Sequence, residues 1–246
     1  MTNKKEINAG IIIIGNEVLS GRTKDINTSS IALWLNPLGI HVKEVRVIPD
    51  IEETIIESLN ILRKSNNYVF TTGGIGPTHD DITSLSIARA FGVELEVNDK
   101  ALAILKEYYK DGELTEARMK MTMIPVGAEL VDNPVSKAPG FKMDNVFVMA
   151  GIPSIMQGML EGARIFLKGG DVVKSMSIDV FTPESNVAQA LTDLQKKYND
   201  VEIGSYPFSK DNRFGTTLVM RSSDEKRLHQ CDEELKELMK EYDTNY

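Results

Sequence analysis

Four β-branched residues in succession, Ile11-Ile12-Ile13-Ile14, end at Gly15. A run without alternation predicts a strand buried on both faces, as in a parallel sheet. Ile31, Trp34, Leu35 and Leu38 then recur at helical spacing and stop at Gly39. Val42 to Ile48 predicts a second strand, and Ile51, Ile55, Leu59 and Leu62 a second helix. Tyr68 to Thr72 predicts a third strand, and Ile82, Leu85, Ala88 and Phe91 a third helix closed by Gly92. Strands alternating with helices over short links predict βαβ units and an α/β fold. In such sheets ligands bind beyond the carboxyl ends of the strands.

Downstream the rhythm changes. Lys100 to Tyr109 and Glu113 to Met123 predict helices, whereas residues 128–147 carry Asn133-Pro134 and Pro139-Gly140 breaks and predict an irregular, strand-rich stretch. Phe147 to Ala150 predicts another strand, with Gly151-Ile152-Pro153 opening a helix to about Leu167. Gly169-Gly170 marks a boundary between a large domain, 1–169, and a small α+β unit, 170–246. In the latter, Lys174 to Phe181, Val201 to Tyr206 and Thr216 to Arg221 read as strands. Glu184 to Tyr198 and Asp224 to Tyr242 read as helices, the second amphipathic.

A chain of 246 residues has room for this arrangement and a substantial core. Its net charge of −8 argues against a nucleic-acid-coating surface but not against a nucleotide held through a metal. One cysteine, Cys231, excludes an internal disulfide and a cysteine-cluster metal site, and fits a reducing, cytoplasmic setting. No stretch approaches the ~20 apolar residues of a membrane span, so no membrane partner is expected.

The chemistry concentrates in Thr71-Thr72-Gly73-Gly74-Ile75-Gly76-Pro77-Thr78-His79-Asp80-Asp81-Ile82-Thr83, after the third strand. Three glycines let backbone approach a ligand, and the following helix start favours an anion. Two adjacent carboxylates repel bare phosphate but suit a divalent cation that holds phosphate. The loop is neither G-x-G-x-x-G nor a P-loop. Two further loops lie at the same end of the predicted sheet, Gly15 to Gly21 with Glu17, and Pro49-Asp50. Each has a plainer reading: a connecting loop for the first, a helix N-cap for Asp50. All three together put carboxylates on one rim. His79 could move protons or be a solvated loop residue. Met119, Met121 and Met123 read as core or interface filling, Trp34 as core, and Cys231 as an inert helix residue.

The segments Gly15-Asn16-Glu17-Val18-Leu19-Ser20-Gly21, Asp25-Ile26-Asn27-Thr28, Thr72 to Thr83, Asn133-Pro134, Ala138-Pro139-Gly140-Phe141 and Gly151-Ile152-Pro153-Ser154 occur in order. Together they resemble the MoaB/Mog molybdopterin-binding family, in particular the amino-terminal domain of CinA proteins and the related domain of animal FAD synthase. The likeness spans roughly Ile7 to Leu167, and the unit after Gly170 is similar to the KH-like subdomain of CinA proteins. The resemblance implies a three-layer α/β/α domain followed by a small KH-like α+β subdomain. It implies that Asp50 and Asp81 hold Mg²⁺ or another divalent cation and carry catalysis; of the other rim carboxylates, Asp80 or Glu17 is expected as a supporting ligand. It places substrate and phosphate binding at Gly15, Asn16, Glu17, Ser20, Gly21, Thr72, Gly73, Gly74, Gly76, Pro77, Thr78 and Thr83, and at Pro139, Gly140, Gly151 and Pro153.

The activity implied is that of a metal-dependent nucleotide pyrophosphatase acting on FAD or ADP-ribose. Alternatives are adenylyl transfer or adenylyl-pterin handling in molybdenum cofactor synthesis, or a binding module without turnover. The expected partner is a small nucleotide or pterin ligand, in a homo-oligomer, dimer or trimer, without nucleic acid. Asn16 stands where CinA proteins usually carry Asp. The carboxy-terminal amidase domain of full-length CinA has no counterpart before Tyr246, so that activity is not expected. The small unit, with 15 acidic and 10 basic residues over 171–246 and no Gly-x-x-Gly clamp, is unsuited to RNA.

Overall fold

The computed structural model describes residues 7–110, 112–210 and 213–242. The chain divides into two compact units, Met1–Gly170 and Asp171–Tyr246.

The first unit opens with β1 (Ile7–Ile14), the short α1 (Asn16–Leu19), α2 (Asn27–Leu35) and β2 (Ile40–Ile48). Next come α3 (Glu52–Ser65), β3 (Tyr68–Thr72), α4 (Thr83–Phe91), β4 (Leu95–Val97) and α5 (Asp99–Tyr108). After these lie α6 (Glu116–Met119), β5 (Met123–Pro125), β6 (Glu129–Val131), β7 (Gly140–Met143), β8 (Val146–Met149) and α7 (Pro153–Ala163).

One six-stranded sheet runs β2-β1-β3-β8-β7-β6. Its first four strands are parallel, while β7 and β6 pair antiparallel. The isoleucine run is therefore hydrogen-bonded on both sides, Ile13 facing Ile48's neighbour Val47 on one strand and Thr72 on the other.

Strand alternation divides this core into two layers, because successive side chains point to opposite faces. Ile11 and Ile13 of β1, Phe70 of β3, and Phe147 and Met149 of β8 meet Ile31 and Leu35 of α2 and Met156, Met159 and Leu160 of α7. Ile12 and Ile14, Val69, and Val146 and Val148 meet Ile55, Leu59 and Leu62 of α3, Ile87 of α4 and Ala101 of α5. Helices on both faces of one sheet make the three-layer α/β/α arrangement. The lone tryptophan, Trp34, is half-buried against the first layer, and its indole N–H donates to Glu161 Oε1 at 2.7 Å.

Helix ends fall where the glycines sit. Gly39 and Gly92 both adopt left-handed backbone, φ 68°, after the helical turns they close. One segment departs from the expected pattern. The helix anticipated over Glu113 to Met123 is confined to α6, whose N-terminus is capped by the Thr115 hydroxyl accepting from Arg118 N–H at 3.3 Å. A single tight turn follows at Lys120–Thr122, and Met123 becomes extended because it pairs with Val97 in the small β4–β5 sheet.

The second unit comprises β9 (Lys174–Val180), α8 (Glu184–Lys197), β10 (Glu202–Lys210), β11 (Arg213–Ser222) and α9 (Glu225–Met239). Its antiparallel sheet has the order β10-β11-β9, and the two helices bury Val187, Leu194, Leu228, Cys231 and Leu235 against Leu218 and Met220. Cys231 is fully buried, and desolvation pushes its thiol up to about 11. Among the described residues no helix is long and apolar enough to cross a membrane.

Candidate functional site

The carboxyl ends of β1, β2, β3 and β8 open onto one cavity of about 600 Å³. The β3–α4 loop forms its floor. Gly73, at φ 105°, lies so close to the Ile14 carbonyl that no Cβ could be accommodated. Gly74, at φ 69°, lies equally close to the Thr83 hydroxyl. That hydroxyl, fully buried, donates to the Gly73 carbonyl at 2.9 Å, and Thr83 N–H donates to the Gly74 carbonyl at 2.9 Å. The turn is thereby locked, and Gly73 N–H is committed to the Met149 carbonyl at 3.1 Å. The N–H groups of Gly74, Ile75 and Gly76 have no hydrogen-bond acceptor among the described residues.

Asp81 does not cap α4, whose N-cap is Ile82 without a side-chain bond. Its Oδ2 accepts from Thr78 N–H at 2.8 Å and from the Thr78 hydroxyl. The carboxylate lies across Gly76, where a Cβ would stand 2.7 Å from Oδ2. The same hydroxyl, together with the Asp80 backbone N–H, holds the Asp80 carboxyl below the usual carboxylate range. With one proton it serves one neighbour at a time, and its hydrogen bond in the structure is to Asp81.

Asp50 does not cap a helix either. The N-cap of α3 is Ile51, and Asp50 Oδ2 instead accepts from Asn16 N–H at 2.9 Å, tying the end of β2 to the start of α1. The Gly15–Gly21 segment is therefore a short helical turn. A Cβ on Gly15 would sit 2.5 Å from a Glu17 carboxylate oxygen, so a side chain there would displace the flexible Glu17 carboxylate. Ser20 donates to the Glu17 carbonyl at 3.2 Å, and Gly21 supplies the left-handed turn, φ 73°.

Of the residues singled out from the sequence, Glu17, Asp50, Asp80 and Asp81 all reach the cavity wall. So do Gly73, Gly74, Gly76, Pro77 and Thr78 from the floor, and Pro139, Gly151 and Pro153 from the opposite side. Gly15, Asn16, Ser20, Gly21, Thr72, Thr83 and Gly140 do not line the cavity. Thr72 accepts from Asn27 Nδ2 at 3.2 Å, and Gly140 lies in the sheet, where a Cβ would press on the Val148 carbonyl at 2.5 Å. His79 lines a smaller cavity of about 240 Å³ on the far side of the Gly76–Asp81 loop, together with Lys120 and Met123.

Several wall residues carry no sequence signal of their own. Arg118 and Tyr109 arrive from the α5–α6 region, and Met121, read above as filling, also reaches the wall. Asn27 bridges the ends of β3 and β8, donating from Nδ2 to Thr72 and, at 2.8 Å, to the Gly151 carbonyl. Asn27 belongs to the Asp25–Thr28 segment and does not itself line the cavity, and nothing local indicates that bridge. Asn133 holds the 133–138 loop by donating to Ser136 and to the Ala138 carbonyl, both at 2.7 Å.

A hard divalent cation takes oxygen ligands, and magnesium commonly uses one or two carboxylates with phosphate and water completing its shell. The donor set fits that chemistry. Asp50 and Asp81 each spend Oδ2 on protein donors and keep Oδ1 without a partner among the described residues. A closed all-protein cage is a different matter: among the described residues no three His, Cys, Asp or Glu side chains converge closely enough to form one.

Comparison with known proteins bears on this geometry. Residues 10–167 match the family described as "Probable molybdopterin binding domain", and residues 173–246 match the middle domain of FAD synthase. A protein from Aeropyrum pernix is 38% identical over 222 residues, 86% of this chain and 82% of that one. A Sulfolobus acidocaldarius protein is 35% identical over 94% of both. Among solved structures, the protein CinA of unknown function from Thermoplasma acidophilum aligns with TM-score 0.61 and 32% identity, covering 66% of this chain and 99% of its own.

Proposed function

The chain belongs to the molybdopterin-binding domain family, and from that premise we propose that it is a metal-dependent nucleotide pyrophosphatase acting on a dinucleotide such as FAD or ADP-ribose. One observation carries the reading. The unpartnered N–H groups of Gly74, Ile75 and Gly76 and the unpartnered Oδ1 atoms of Asp50 and Asp81 belong to the wall of a single cavity. Donors for phosphate and acceptors for a cation in one place are what a diphosphate needs.

Asp50 and Asp81 would hold the cation. Bound there, it would neutralise diphosphate charge and ease the ionisation of a water molecule. The protein's own groups do the rest. The Gly74–Gly76 backbone receives phosphate oxygens without a side chain in the way, and costs no reorganisation because Thr83 already fixes the turn. Thr78 fixes the Asp81 carboxylate, and Asn16 N–H fixes that of Asp50, so their free oxygens are presented rather than floppy. The Asp80 carboxylate, also on the wall, disfavours any phosphate whose charge is not neutralised. The apolar wall of Ile152, Ile155, Met121 and Met159 offers a surface for flat rings.

The likeness of residues 173–246 to an FAD synthase domain supports a flavin dinucleotide as substrate. The family name supports a second reading, transfer or hydrolysis of an adenylyl group on a pterin. That reading requires ATP or an adenylated pterin. Dimer or trimer formation belongs to either, and sedimentation measures it. The discriminating experiment incubates FAD, ADP-ribose, NAD and ATP with Mg²⁺, Mn²⁺, Co²⁺ or Ni²⁺ and reads AMP by chromatography. Metal-dependent AMP from FAD or ADP-ribose supports the proposal. Turnover that needs ATP together with a pterin transfers it to the second reading.

A further inference from the structure

Among the described residues the cavity wall carries four carboxylates, Glu17, Asp50, Asp80 and Asp81, and one cationic side chain, Arg118, while the Lys120 ammonium, in the smaller neighbouring cavity, is already bonded to the Thr78 carbonyl. A diphosphate entering such a wall meets strong repulsion, and one divalent cation offsets only part of it. Arg118 is placed to supply the remainder. Its guanidinium Cζ lies 4.3 Å over the Tyr109 ring, and Nη1 donates to the Glu113 carbonyl at 2.5 Å. Its backbone N–H is fixed by the Thr115 cap at 3.3 Å. The side chain is thus held at its face, at one nitrogen and at its root. Yet it pairs with no carboxylate among the described residues, although four share its cavity. Nε and Nη2 remain free to donate.

A cation-charged wall residue restrained but left unpaired is primed for an external anion. Guanidinium matches phosphate with two parallel hydrogen bonds, whereas its stacking on a ring removes rotamer freedom before binding. We propose that Arg118 binds the phosphates of the substrate directly, with Tyr109 as the platform that orients it. This rests on the phosphate-site reading above and names the protein group that recognises the diphosphate. It also explains why a site so acidic can accept an anion.

The test titrates inorganic pyrophosphate and ADP into the full chain by calorimetry with saturating Mg²⁺ present for wild type and variant alike, so that the cation's share is the same in both. Arg118→Ala is expected to weaken both by about 10- to 100-fold, the range of a charge-assisted hydrogen-bond pair. Adenosine, which has no phosphate, should bind the variant and the wild type alike. Undiminished affinity for pyrophosphate and ADP in Arg118→Ala, or equal loss for ADP and adenosine, overturns the proposal. So does a wild-type protein that takes up neither phosphate ligand. Butanedione gives a second reading on the unsubstituted chain: pyrophosphate should protect Arg118 from modification, and equal modification rates with and without it count against the assignment. The two readings separate cleanly. Phosphate binding through Arg118 without cleavage of any dinucleotide removes the hydrolase alone, and cleavage undiminished in Arg118→Ala removes this inference alone.

Discussion

Replacing Gly73 by alanine tests whether the floor of the cavity is as rigid as its geometry requires. Gly73 has φ 105°, outside the small left-handed region that other residues tolerate, and its missing Cβ would overlap the Ile14 carbonyl oxygen. The obstacle is backbone. β1 and β3 are joined by a continuous ladder up to the Ile13–Thr72 pair, so neither can yield alone. The strained φ contributes roughly 1–3 kcal/mol. Displacing the turn also disturbs the Gly73–Met149 and Thr83–Gly73 hydrogen bonds, at about 0.5–1.5 kcal/mol each. The expected total is about 2–6 kcal/mol, against a typical stability of roughly 5–15 kcal/mol. Gly92→Ala is the internal control. Its φ of 68° is also positive, but nothing lies within 4 Å of the added methyl, so it should cost only about 1–2 kcal/mol. Trp34 is the one tryptophan and lies in the first unit, so its fluorescence in a denaturant titration follows that unit alone. Equal destabilisation by the two substitutions would refute the claim that the Ile14 contact dictates glycine at position 73.

Two other outcomes follow from the same contacts. Thr83→Val keeps shape but leaves the Gly73 carbonyl without its donor, and should cost about 1–3 kcal/mol by the same Trp34 assay, with Thr83→Ser recovering most of the loss. Burial raises the Cys231 thiol from 9.0 to about 11. Its neutral form is therefore favoured in the folded state, so this stabilisation is complete below pH 9 and lost as pH rises through about 11. Wild type should lose about 2–3 kcal/mol across that window that Cys231→Ala does not, and iodoacetamide should label native protein at pH 8 far more slowly than unfolded protein.

The sheet was legible in the sequence because its strands announce themselves. A short, wholly β-branched isoleucine run ending at a glycine favours a doubly covered strand over a buried helix, and Gly39 and Gly92 stop helices where left-handed backbone is needed. The glycine and carboxylate loops were legible too, since residue types at strand ends point to chemistry before any geometry is known. What escaped depended on distant partners. Whether Asp50 caps α3 or receives Asn16 N–H cannot be read locally, since the donor lies 34 residues away. Arg118 and Tyr109 reach the wall only because α5 and α6 fold over the β3–α4 loop, and they carry no motif. The helix expected over Glu113 to Met123 was shortened by the β4–β5 pairing, which recruits Met123 to a strand.

The central claim is that Asp50 and Asp81, steadied by Asn16 and Thr78, make the cavity a site of diphosphate cleavage. The most direct measurement is the rate of AMP release from FAD and ADP-ribose with a divalent cation, for wild type and for Asp81→Ala at matched folding by Trp34 fluorescence. The account predicts metal-dependent release by wild type and a loss of about two decades or more in Asp81→Ala. Release that is unchanged in the variant, or absent from wild type under every metal, contradicts it.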